Sequence, residues 1–332
     1  MSRNLLIFIL LSLVTVALFT ADICIGAVDI PLADVWSSVT GNAPDRVTGK
    51  IVVDIRLVKA LAALLGGAAL SVSGLQMQTL FRNPLAGPYV LGISSGASLG
   101  VALFILGAPL LGLSGLMTSV GIAGAAWIGA AAILAVMGAV AHRIKDIMVI
   151  LILGMMFSSG VSAVVQILQF LSREESLKAF VIWTMGSLGD VTMSQMWIFA
   201  PAILAGLLLA VFAIKPLNLM LLGEDYAVTM GLNVRRTRGL LFLSTTLLAG
   251  TVTAFCGPIG FIGMAMPHVA RMITSDSNHA VLLPATLLTG TSVLVACDIV
   301  TKLFTLPVNA ITALLGIPVV VFVVLRQKSV AA

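Results

Sequence analysis

Few residues in this chain are of the types that make and break bonds, and those few are scattered. The three cysteines, Cys24, Cys256 and Cys297, lie in or beside apolar runs, with neither metal-site spacing nor a disulfide framework. They read as small buried side chains. The histidines, His142, His268 and His279, stand far apart, each assigned to the end of an apolar run. No G-x-x-x-x-G-K-S/T occurs, so the chain has no P-loop for ATP, and there is no H-E-x-x-H pair for zinc. What remains is positional chemistry. "RNPLAGPYVLG" (82–92) sets a cation, an amide, two prolines and two glycines between long apolar runs. Pro84 and Pro88 cannot continue a helix and restrict the residues before them, so a rigid, unwound turn is expected there. "KPLNLMLLGEDYAVTMGLNVRRTRG" (215–239) carries the acidic pair Glu224 and Asp225, a Gly231 break and three arginines.

The elements that must position these residues are membrane helices. Of 332 residues, 60% are hydrophobic and 9% charged, against about 25% charged in a soluble domain. Runs of about 20 apolar residues, each the span of a bilayer as a helix, recur throughout. Aromatics are few and ten-residue alternating segments are missing, which argues against an outer-membrane barrel. Ten candidate spans cover about 5–28, 57–81, 89–108, 115–141, 147–171, 194–214, 239–256, 261–275, 281–300 and 308–325. The breaks at 81–89 and 256–262 are the least regular. The first run is long and lacks a small-residue cleavage site, so it reads as a retained span. The fold class is all-α and polytopic, a single transmembrane domain over 1–332.

An even span count places both termini on one side. With that side cytoplasmic, it collects Arg3, Arg82, Arg143, Lys145, Lys215, Arg235, Arg236, Arg238, Arg271, Arg326 and Lys328, against Asp146, Glu224, Asp225 and Asp276. Inside is the more positive side, so both termini are cytoplasmic. This bias also accounts for the net charge of +5 without a nucleic-acid partner. Of the two long outer segments, 29–55 is expected to hold an interfacial helix with Trp36 at the headgroups, and 172–193 is amphipathic and too long for a turn.

A multi-span chain without a catalytic constellation reads as a transporter or channel. The span centres are nearly free of ionisable groups, with Gln76, Gln78, Gln166, Gln169 and hydroxyls instead. Ion-coupled carriers usually carry charges there, so an external energy source is favoured over a secondary transporter, a channel, or an assembly or sensor subunit. The half-apolar, half-acidic 215–239 loop, read as two short helices around a glycine, is a surface that another protein grips. Gly92, Gly96 and Gly100 recur every fourth residue, a stripe for close helix packing or pore lining rather than subunit contact.

"GAALSVSGLQMQTLFRNPLAGPYVLGISSGASLG" (67–100), "WTMGSLGD" (183–190), "LNLMLLGEDYAVTMGLNV" (217–234), "GPIGFIGMAMPHVARM" (257–272) and "LPVNAITALLGIPVVVFVVL" (306–325) strongly resemble the FecCD/BtuC family, permease subunits of type II ABC importers. The segments occur in family order across 56–325. The resemblance implies a BtuC-like fold in the bacterial inner membrane and a homodimer with its path on the two-fold axis. It implies two cytoplasmic ATPase subunits that use ATP and magnesium, a periplasmic binding protein, and no cofactor or metal on this chain. The expected cargo is a ferric siderophore, haem or cobalamin. Only Tyr89 and Tyr226, both near the cytoplasmic side, and no outer histidine are available to a haem, which lowers that candidate.

The same resemblance implies a cytoplasmic gate at Asn83, Pro84 and Leu85, and ATPase coupling through Gly223, Glu224, Ala227 and Gly231. It implies docking of binding-protein carboxylates on Arg56, Lys59 and Lys302. Arg56 and Lys59 are three apart and share a helix face, while Lys302 also stands four residues after Asp298. The family's Arg-Leu-Pro-Arg is here Arg56-Leu57-Val58-Lys59, which loses a bidentate arginine. Its Glu-Leu-Pro-x-Gly is Thr305-Leu306-Pro307-Val308-Asn309.

Overall fold

The structure, a computed structural model, describes residues 3–107, 119–144 and 146–330. Lys145, one of the inside cations, lies outside the described residues. The described residues are helical, without strands. In chain order the helices are α1 (Arg3–Cys24), α2 (Leu32–Val39), α3 (Arg46–Lys50), α4 (Val58–Leu80), α5 (Ile93–Ala102), α6 (Ser119–Arg143), α7 (Ile147–Leu171) and α8 (Glu174–Thr184). They continue with α9 (Met193–Phe212), α10 (Ile214–Leu221), α11 (Glu224–Thr229), α12 (Val234–Thr245), α13 (Thr251–Cys256), α14 (Ile262–Thr274), α15 (His279–Phe304) and α16 (Val308–Val330). A wider π-turn leads into α4 and another joins α12 to α13.

Among the described residues, helix occupies part of each of the ten expected stretches, of which residues 108 and 115–118 lie outside those described. Among the described residues, six segments are individually long and apolar enough to cross a membrane: α1, most of α6, α7, α9, the joined α12–α13 and α15. Ile93–Gly107 and Val308–Val323 are apolar but shorter, and α14 has 13 residues.

Side-chain caps set several starts. Asp146, Asn233 and Asn278 each accept a backbone N–H at the start of α7, α12 and α15. Thr192 and Gln195 form a reciprocal capping box on α9.

The core is built around α4, of whose 23 residues all but Lys59, Leu61, Leu64 and Leu65 are buried. Small residues bring its neighbours to backbone distance: Gly67 meets Gly290 of α15, and Gly74 meets Gly263 of α14. The Gly96–Gly100 stripe works the same way, closing α5 onto Gly129 and Ala125 of α6. It is intramolecular packing, as its spacing suggested. Helix α1 is bound into this body by a Thr15–Ser292 hydroxyl pair at 2.8 Å and by Arg3, whose guanidinium donates to the Thr274 carbonyl at 3.1 Å. The expected interfacial helix is α2, with Trp36 exposed. Helix α8 folds back against the bundle, burying Phe180 and setting the Trp183 carbonyl against Gly257.

Candidate functional site

The segment after α4 is unwound, as its prolines require. Arg82 takes a left-handed φ of 47° and Gly92 one of 79°. Asn83 forms an Asx turn, its Oδ1 accepting the Leu85 N–H at 2.9 Å. Pro88 opens a short 3₁₀ turn. Leu85 is exposed, while Asn83 and Pro84 are half-buried.

Neighbouring helices hold this loop in shape. His268 of α14 contacts the Pro84 carbonyl through Nε2 at 2.7 Å. A carbonyl only accepts, so Nε2 carries the proton. Gln78 then binds elsewhere, donating to the Met264 carbonyl at 2.9 Å and accepting from Arg271 at 2.7 Å. Tyr89 ties the loop to the second unwound segment: its hydroxyl donates to the Ile259 carbonyl at 3.1 Å. That segment has Gly257 and Phe261 at positive φ (72° and 66°). Asn309, the family departure on α16, accepts the Gly260 N–H at 2.9 Å. It braces this break from the other side. The two least regular stretches of the sequence are thus one bonded assembly.

Beside it stands a knob of two short helices. Gly223, at φ 110°, separates α10 from α11, and Gly231, at φ 85°, separates α11 from α12. Only glycine takes the first conformation without strain. Ala227 is buried and Glu224 pairs with Arg238 of α12 at 2.6 Å, which fixes α11. Leu222, Tyr226, Val228 and Met230 are all more than half exposed. An apolar crown of this kind marks a contact surface.

The knob is wired to the loop. Asn218 of α10 accepts the His279 backbone N–H and ring Nδ1, each at 2.8 Å. With Nδ1 donating, Nε2 is the acceptor for the Thr79 hydroxyl at 2.9 Å. Thr79 is one residue from the end of α4, which feeds the loop. Arg82 also lies near the knob: a methyl added at Gly223 would come within 3.8 Å of its guanidinium. Asn218 and Thr79 were not noted from sequence, and His268, His279, Arg271 and Arg238 entered only as scattered histidines and inside cations, with no role in this assembly. Their partners lie from 14 to 200 residues away.

At the opposite end of the bundle, the three cations that the resemblance assigns to docking bind partners within the chain. Arg56 is buried and donates to the Ile23, Cys24 and Val28 carbonyls, capping α1. Lys302 binds Asp22 at 2.7 Å and Asp298 at 3.0 Å, and Lys59 binds Asp298 at 3.1 Å. Both carboxylates are fully buried, and Lys59 keeps 19% of its side chain exposed. The quartet is charge-balanced, so it clamps α1, α4 and α15 together instead of offering a vacant ion site. A reading of the spans as nearly charge-free passes over it.

The start of α5 also reads twice as G-x-S-x-G, at 92–96 and 96–100. That motif needs a strand-to-helix elbow with a base beside the serine. Here its glycines pack helices, and neither Ser94 nor Ser98 bonds to an imidazole. Among the described residues, no three His, Cys, Asp or Glu side chains gather as a metal site.

The site is thus an unwound loop braced by a second unwound segment and linked to a surface knob. The model of the FecCD transport family matches residues 13–326. The chain belongs to the FecCD transport family. Among its relatives, the hemin transport system permease protein HmuU of Yersinia pestis is 35% identical, covering 98% of this chain and 96% of that one. The vitamin B12 import system permease protein BtuC of Klebsiella pneumoniae is also 35% identical, covering 96% and 93%. A solved ABC transporter of the metal-chelate type, in an inward-facing conformation, superimposes with a TM-score of 0.82 at 28% identity, covering 98% and 99%. This FecCD chain is a transporter subunit rather than an enzyme.

Proposed function

We propose that the chain is the membrane-spanning permease of an ABC importer for a metal chelate, working as a homodimer of ten-span subunits in a bacterial inner membrane. The observation that carries this reading is the link between the α10–α11 knob and the Asn83–Leu85 loop through Asn218, His279 and Thr79. In this reading the exposed crown of α11 seats a cytoplasmic ATPase subunit, one per protomer, and both termini are cytoplasmic. Gly223, Glu224, Ala227 and Gly231 shape the seat. ATP binding closes the ATPase pair and displaces the knob. The displacement travels along the hydrogen-bonded chain to the end of α4, where Asn83, Pro84 and Leu85 form the gate against their symmetry mates. A periplasmic binding protein delivers the chelate at the opposite face. Of the three cations there, Lys59 retains exposed surface to meet a carboxylate, with Arg56 and Lys302 fixing the helices behind it.

The cargo class is a ferric siderophore, cobalamin or haem. The test is to purify the chain with its ATPase, reconstitute both in vesicles and measure uptake of each chelate from the binding protein. Uptake that requires ATP and stops with an Asn83→Arg gate variant is expected. Uptake that persists without the ATPase and collapses with an uncoupler would overturn the reading.

A further inference from the structure

Three cations and two carboxylates gather where α1 ends, and they are not held equally. Lys302 donates to the Asp22 carbonyl at 2.8 Å and to its carboxylate at 2.7 Å. Arg56 takes the next two carbonyls of the same helix end, Ile23 and Cys24, and that of Val28. It forms no ion pair with a described carboxylate. Asp298 stands between the two lysines, 3.0 Å from Lys302 and 3.1 Å from Lys59. The quartet is neutral by itself, but with Arg56 added the cluster is one negative charge short.

Lys59 is the loosest member. Its one described partner is Asp298, and it keeps part of its side chain exposed, whereas Arg56 and Lys302 are buried among several acceptors. Neither oxygen of Asp298 makes a hydrogen bond of good geometry, so the Lys59 contact is an ion pair without the directional bonds that fix Lys302 to Asp22. The turn between α8 and α9 leaves this lysine reachable. Gly189 lies over its stem, where an added methyl would come within 3.9 Å of Cδ and Cε. Any longer side chain there would cover the ammonium. Asp190, next in the chain, is exposed and forms no ion pair with Lys59.

We propose that Asp298 is an internal stand-in for a partner's carboxylate. It holds Lys59, and through it ties α4 to α15, until a carboxylate side chain on a docking protein takes the lysine in exchange. Asp298 then rests on Lys302, which Asp22 keeps in place. The proposal rests on the importer reading above, in which that partner is the periplasmic binding protein. What it adds is that docking is an exchange of ion pairs, with the affinity set by Asp298 and not by the cation alone. The exchange brings in the missing negative charge and leaves no group alone: Lys59 passes from one carboxylate to another, and Asp298 keeps a cation at 3.0 Å. Leaving a buried charge without any partner is the costly event in such clusters, and this arrangement avoids it. Lys302 cannot be exchanged in the same way, because its departure would leave Asp22 unpaired.

The test measures binding of the importer's periplasmic binding protein to the permease–ATPase complex in lipid nanodiscs. Asp298→Asn removes the competitor and should tighten binding about tenfold, and Asp298→Ser should act in the same direction. Lys59→Met should weaken binding about tenfold and melt near the parent, since Asp298 still has Lys302. The double variant Lys59→Met with Asp298→Asn should bind no better than Lys59→Met alone, because the gain passes through Lys59. As a readout without any partner, a membrane-impermeant amine reagent should modify Lys59 several times faster in Asp298→Asn than in the parent. Parent affinity in both Asp298 variants, equal tightening with and without Lys59, or unchanged labelling of Lys59 would each overturn the proposal. Faster Lys59 labelling in Asp298→Asn, with no binding protein held by any variant, would instead overturn the importer reading.

Discussion

Lys302 reaches two buried carboxylates at once, Asp22 at 2.7 Å and Asp298 at 3.0 Å. Removing one partner of such a set leaves charge in a low-dielectric interior without compensation, at a cost of about 3–5 kcal/mol. Lys302→Ala is therefore expected to lower the thermal unfolding temperature in detergent sharply. Pairing Lys302→Met with Asp22→Asn removes the charge on both sides and should recover most of that loss. If Lys302→Ala melts with the parent, the quartet is not a clamp. Arg56 shows why this end was hard to read from sequence. Its spacing to Lys59 marks a shared helix face, and the family resemblance implies a docking site for a carboxylate there. Only the folded chain reveals that the last carbonyls of α1, 32 and 33 residues earlier, occupy its guanidinium. Helix ends leave such carbonyls free, and a buried arginine is a natural partner for them.

At the scale of elements, the legible features were those that sequence encodes locally. Proline and glycine announced the break after α4; apolar length announced the helices; Gly96 and Gly100 announced a close-packed face, now seen against α6. The bracing of one break by the other was not legible, because Tyr89 and Ile259 meet across 170 residues. The helix contacts give a graded expectation. At Gly74 an added methyl would overlap the Gly263 backbone, whereas at Gly124 of α6 nothing lies within 4 Å. Gly74→Ala should cost about 1–3 kcal/mol or more through forced separation of α4 and α14, while Gly124→Ala should be neutral or slightly stabilising. Melting temperatures of the two variants side by side decide it. A smaller effect belongs to α3, whose N-cap Asp45 accepts from the Thr48 hydroxyl at 2.6 Å and from the Val47 and Thr48 N–H groups. These bonds, led by the Thr48 hydroxyl, hold its carboxyl below the ordinary range. A lowered carboxyl contributes stability above its unfolded value and loses it as pH falls through the folded one. Protection of the Thr48 amide from exchange should therefore fade only in that acidic window, and Asp45→Ala should abolish the pH dependence.

At the scale of the molecule, the question is whether motion at the knob is carried to the loop by discrete bonds or by the bundle as a whole. The route runs α10, Asn218, His279, Thr79, α4, and each step is a hydrogen bond of 2.8–2.9 Å. The family resemblance named the two ends of this route, but nothing in the sequence named its middle. Asn218 and His279 look like an ordinary loop amide and a helix-end histidine until the fold sets them together. If the bonds carry the motion, Asn218→Leu keeps the exposed crown of α11 intact while cutting the link behind it. ATPase docking and ATP hydrolysis should then remain near the parent rate, and chelate uptake per ATP should fall by roughly 5–150-fold, the range of coupling free energies. His279→Leu should reproduce the same dissociation of hydrolysis from uptake, whereas Asn83→Arg, at the far end of the route, should stop uptake by filling the gate. Equal loss of hydrolysis and uptake in Asn218→Leu would show instead that the knob and its partner move as one rigid unit, with the hydrogen-bonded chain serving only to hold α10 in place.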